Sequence, residues 1–122
     1  MGAEWFTQDA DGADVSEAFR VARAAAQYEH GHGGYSGTLA EKDSWVLVRP
    51  TPVSSYAEAE ELADRYAESI SGGGHLDTLP HFAEVNDKWG AAGVVEFVPD
   101  PPRLSGMRTG HRSFLFFGWA SS

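Results

Sequence analysis

Two imidazoles, a phenol and two hydroxyls stand among four glycines in residues 29–38, EHGHGGYSGT, directly after an alanine-rich stretch of helical period. His30, His32, Tyr35 and Ser36 bring groups that transfer protons or grip a ligand, and the glycines let the backbone take positive φ or come close to a bound group. The same residues also suit a helix end. An imidazole at His30 favours the negative end of a helix dipole, and Gly31 fits a left-handed cap. On that reading Gly31 and at least one of Gly33, Gly34 and Gly37 take positive φ. The segment lacks the lysine of GxxxxGK[ST] and the spacing of GxGxxG. It also leaves a helix C-terminus, where the dipole disfavours an anion, whereas phosphate loops enter a helix N-terminus.

A second polar set lies in residues 101–112, PPRLSGMRTGHR, with Arg103, Arg108, His111 and Arg112 beside Gly106 and Gly110. Guanidinium groups on a glycine loop suit phosphate or carboxylate, and the alternative is a hairpin loop whose charges stand in water. The candidate contact residues are therefore His30, His32, Tyr35, Ser36, Arg108, His111 and Arg112, expected on one accessible face.

Other chemistries find less support in the residue types. His30, His32, His75 and His81, with Glu29 or Asp77, could in principle converge on a metal, but loop histidines without an HExxH helix read first as structural or solvated. No metal or cofactor is expected. Asp9, Asp11, Gly12 and Asp14 hint at a calcium loop, yet the glycine comes too early and no glutamate stands where a bidentate ligand belongs. Without a cysteine or a GxSxG elbow, nucleophilic catalysis lacks its usual parts.

The elements that must hold these groups follow from the changing period of the apolar residues. Residues 3–8, with Trp5 and Phe6, predict a strand. Asp14 and Glu17 form a capping-box pattern for a helix whose stripe is Val15, Ala18, Phe19, Ala22, Ala25 and Ala26, ending near His30. Residues 38–40 and 44–49 read as a hairpin turned by Glu41, Lys42 and Asp43. Ser55 and Glu58 cap a second helix, with Tyr56, Leu62, Ala63, Tyr66 and Ile70 inward, that Gly72, Gly73 and Gly74 end. Pro80 opens a shorter third helix through Phe82, Val85 and Trp89. Residues 93–98 and 113–119 are apolar at nearly every position and belong in the interior of a sheet. The order predicts a single α+β domain over residues 1–122. It is a mainly antiparallel sheet with two principal helices on one face, in the split βαβ, ferredoxin-like order, plus a short helix and a final strand.

Eighteen acidic residues against nine basic ones give a net charge of −9, which opposes neutralisation of phosphates and so excludes loose nucleic-acid binding. There is no apolar run of about 18 residues to cross a bilayer and no signal-like start, so the expected compartment is the cytoplasm. The strings YEHGHGGYSGTLAEK (28–42), NDKWGAAGVVEF (86–97) and FLFFGWAS (114–121) resemble a group of small proteins of tailed phages and prophages. That resemblance implies the cytoplasm of an infected bacterium and brings no assigned activity. The leading expectation is a non-enzymatic accessory binding protein that engages a host protein or a small anionic ligand through the two loops. The alternative is a small metal- or histidine-dependent hydrolase or transferase acting on a phosphoester or nucleotide.

Overall fold

The computed structural model describes residues 3–30, 37–72, 81, 85, 90–98 and 112–121. The class is α+β, with two principal helices and one four-stranded mixed sheet. Strand β1 (Ala3–Gly12) leads into helix α1 (Val15–His30), a 3-10 turn (Leu39–Glu41) and the short strand β2 (Trp45–Leu47). Helix α2 (Tyr56–Gly72), strand β3 (Ala92–Phe97) and strand β4 (Arg112–Ser121) follow. The strands lie in the order β1-β4-β3-β2. β4 is antiparallel to both of its neighbours, while β2 runs parallel to β3.

Both capping boxes form. Asp14 Oδ1 accepts from the Glu17 amide at 2.8 Å, and the Glu17 carboxylate returns to the Ala13 amide. In α2, Ser55 Oγ accepts from the Glu58 amide at 3.1 Å while the Glu58 carboxylate accepts from the Ser54 amide and hydroxyl. Those bonds, the hydroxyl's first, hold the Glu58 carboxyl below its ordinary range. The positive ends of both helices are thus occupied by their own side chains.

Two expectations are corrected. The helices lie on opposite faces of the sheet. α1 sets Ala18, Ala22 and Ala26 against Phe6, Ala10, Val94, Phe114 and Phe116, whereas α2 sets Ala59, Ala63 and Tyr66 against Val95, Phe97, Leu115 and Phe117. Consecutive residues of β4 therefore serve two cores, which is why that strand has no polar alternation. The topology supplies the reason. The α1 crossover carries the chain from one sheet edge to the other and α2 brings it back to β3. Two crossovers of the usual right hand that travel in opposite directions put their helices on opposite faces.

The expected hairpin is also absent. Thr38 caps the 3-10 turn, its hydroxyl accepting from the Ala40 amide at 3.3 Å, and β2 pairs with β3 across α2. A parallel pair needs such a helical crossover, and bonds from Ala92 N to Ser44 O and from Val48 N to Val94 O extend it. Of the third helix, Val85 is helical and buried, its amide donating to His81 O at 3.1 Å; the rest of that expectation lies outside the described residues.

α1 presents alanines to a sheet of large side chains, whereas α2 combines Ala59 and Ala63 with the large Tyr66. Gln8 Nε2 donates to Ala22 O at 2.7 Å and fixes α1 over β1. On the other face Tyr66 is fully buried against the Phe117 ring, 5.2 Å between centroids, and burial pushes its phenol up to about 12. Below pH 10 folded and unfolded chains both hold this proton. Between about pH 10 and 12 the unfolded chain ionises first, so stability falls, by roughly 2–3 kcal/mol at full extent. Urea midpoints at pH 9 and 11.5 should show that loss in the wild type and a smaller one in Tyr66→Phe. Equal losses in the two proteins would remove Tyr66 as the cause.

Candidate functional site

Of the expected contact residues, Arg112 is described with its surroundings. It opens β4, and its guanidinium grips Glu96 with both arms, Nε to Oε2 at 3.0 Å and a terminal nitrogen to Oε1 at 2.8 Å. The guanidinium also lies 5.4 Å above the Phe114 ring centroid. A bidentate fork on a carboxylate leaves few donors for a ligand, so Arg112 fastens β3 to β4 at the strand ends. His30 is the last residue of α1. His32, Tyr35, Ser36, Arg108 and His111 lie outside the described residues.

The residues that flank the two loops are described. Gly37 stands against Glu4 at the start of β1, since a Cβ on it would meet the Glu4 carboxylate at 2.5 Å. Arg112 pairs with Gly12, the last residue of the same strand. Eight residues of extended chain set these anchors about 26 Å apart. The expected shared face of His32, Tyr35 and the arginine segment falls on residues outside the described ones.

Gly37 has φ +70°, which meets the positive-φ expectation at that glycine; Gly31, Gly33 and Gly34 lie outside the described residues. Gly37→Ala combines a left-handed backbone with the Glu4 side chain in its way. It should lower stability by about 1–2 kcal/mol, measurable as a lower urea midpoint.

The outer side of α1, away from its apolar stripe, carries a recess. Phe19, Arg20, Arg23, Ala24 and Gln27 line a cavity of about 210 Å³ on this helix. Arg20 and Arg23, like Ala24 and Gln27, are three apart, while Arg20 and Ala24, like Arg23 and Gln27, are four apart, so the four share one side of the helix. Phe19 gives the cavity an apolar wall and packs its ring 5.7 Å from that of Phe116. Arg20 is exposed and has no ion pair among the described residues. Arg23 reaches Asp43 Oδ1 at 3.2 Å, but Asp43 is 93% exposed, so water screens the pair. Its Nε is buried and has no hydrogen-bond partner among the described residues. Val21 and Tyr28, the latter 92% exposed, continue the surface along the helix. The signal was present in the sequence as RVARAAAQY, two arginines and no acid over nine residues of a chain with net charge −9.

Lys42 is the other residue that the sequence misplaced. Expected at an exposed turn, it is 1% exposed, and its Nζ donates to Gly90 O at 2.9 Å. Its ammonium joins the approach to β2 to the approach to β3, a structural task. His81 is exposed, in the left-handed region at φ 57°. Among the described residues no three His, Asp or Glu side chains gather as a metal site would require. No helix among them is long and apolar enough to cross a membrane.

No protein-family model matches the chain, and no curated protein or solved structure matches it.

Proposed function

We propose that the protein is a non-enzymatic accessory binding protein, of the phage type that its strings resemble. It engages an anionic group, borne by a host protein or by a small ligand, at the α1 cavity. The observation that carries this reading is the pairing of Arg20 and Arg23 around an apolar-walled recess in an otherwise acidic chain. A guanidinium offers a planar fork of donors to carboxylate or phosphate, and the Phe19 ring gives such a group an apolar surface beside the fork. Residues 31–36 continue directly from α1, and His32, Tyr35 and Ser36 are proposed as an extension of this surface. Arg108 and His111 are proposed as a separate contact, because their anchor Arg112 stands at the other end of β1.

Titration of ¹⁵N-labelled protein with benzoate and with inorganic phosphate tests the reading. Saturable shifts are expected at the Arg20 and Arg23 side chains and at Gln27, and the Arg20→Ala, Arg23→Ala double variant should lose them while keeping its melting midpoint. Shifts that never saturate, or that survive in the double variant, would overturn it.

A further inference from the structure

We infer that the anion-receiving surface of α1 also takes the outer face of α2 on a second copy of this chain. This rests on the reading of the α1 surface above and adds a further partner for it. The two helices differ in outward chemistry. α1 shows Arg20, Val21, Ala24 and Tyr28 to solvent, with Arg23 beside them and Glu29 near its end, whereas α2 shows Ala57, Glu60, Glu61 and Asp64, with the single exposed cation Arg65 at the edge of that face among the described residues. Those three acids make no ion pair among the described residues. Ala57, Glu61 and Asp64 recur at spacings of four and three, so the carboxylates form one ridge directly away from the buried Ala59, Ala63 and Tyr66.

The fold makes these faces mutually accessible. Because α1 and α2 cover opposite sides of one sheet, the cationic face of one copy meets the acidic face of the next without rotating either helix out of its core. The helices have 16 and 17 residues, about 25 Å each, so they match in length. Ala24 and Ala57 leave room for close approach of the axes, while Tyr28 and Val21 supply apolar area that the contact removes from water. The contact is heterologous, since the surface used on one copy differs from that on the next. It therefore repeats from copy to copy, closing into a ring or running on as an open chain. One helix pair buries an area at the low end for specific contacts, so assembly depends on protein concentration.

Sedimentation velocity on the full chain tests this with a charge exchange. The wild type should sediment as concentration-dependent oligomers. An Arg20→Glu, Arg23→Glu variant should stay monomeric, and so should a Glu60→Lys, Glu61→Lys, Asp64→Lys variant, each with an unchanged melting midpoint as evidence of folding. An equimolar mixture of the two should associate again, because each altered face then finds its opposite. Both variants remain net acidic, so attraction between whole molecules does not explain such a rescue. A wild type that stays monomeric to about 1 mM, where even a contact of about 4 kcal/mol is half formed, overturns the inference. So do oligomers that both variants retain, or a mixture that stays monomeric. If the sedimentation result is negative while benzoate or phosphate still gives saturable shifts at Arg20 and Arg23, the second copy is excluded and the anion-binding reading stands. Loss of those shifts as well defeats both.

Discussion

Phe117→Ala should destabilise the protein by about 3–5 kcal/mol, the range for removing a fully packed aromatic ring. The ring is completely buried, 5.2 Å from Tyr66 and 6.0 Å from Trp5 between centroids, and it lies over Gly93 of the neighbouring strand. A Cβ on Gly93 would meet the ring at 2.5 Å, so the glycine is the floor on which the phenyl rests. Gly93→Ala alone should therefore cost about 1–3 kcal/mol through overpacking. In a Phe117→Ala background the added methyl enters the vacated volume, and the two changes should sum to less than their separate losses. Chemical denaturation of the four proteins of this cycle measures the coupling. A Phe117→Ala loss below about 1 kcal/mol, or strict additivity, would contradict the packing.

Lys42→Ala should cost about 3 kcal/mol or more, an unusual amount for a lysine. Truncation opens a void where the aliphatic stem lay and leaves the Gly90 carbonyl without the 2.9 Å bond from the ammonium. Lys42→Met separates these effects, since it keeps most of the stem and removes only the donor. It should lose about 1–3 kcal/mol. Urea midpoints for the three proteins decide the matter, and a Lys42→Ala protein within about 0.5 kcal/mol of wild type would show that the ammonium reaches solvent when the chain is free to relax.

Helix starts were the most legible part of this fold, because the information that sets them is local. Asp14 with Glu17, and Ser55 with Glu58, carry their partners within three residues, and both boxes form. β3 and β4 were legible from apolar runs, whereas β1 was legible only over residues 3–8, since the strand continues through Asp9 and Asp11, acids at turn-like spacing, to Gly12. What failed was the assignment that depends on distant chain. Residues 38–49 contain turn-forming polar side chains at hairpin spacing, yet Lys42 is drawn inward by a carbonyl 48 residues away. The unbroken run Phe114, Leu115, Phe116, Phe117 already required cover on both faces of the sheet. That requirement was read as interior position, without the further step that a strand covered on both faces needs a helix on each. At the site, glycine and histidine are the unusual residue types in the sequence. The α1 cavity uses ordinary ones, and only the recess they form with Phe19 distinguishes Arg20, Arg23 and Ala24 from any solvated helix face.

The place of β4 between β1 and β3 has a consequence during synthesis. β1 meets its partner only across roughly a hundred residues of chain, from Ala3 opposite Ser121 to Gly12 opposite Arg112. At a ribosomal rate of about 5–20 residues per second, that is a wait on the order of ten seconds in which Trp5 and Phe6 have no sheet to join. β2, α2 and β3 meet no such delay, since their contacts are nearer in sequence. The nascent chain thus offers a ready half and a waiting strand, and Glu4, Asp9 and Asp11 on the waiting strand act as charges that keep neighbouring nascent chains from pairing with it.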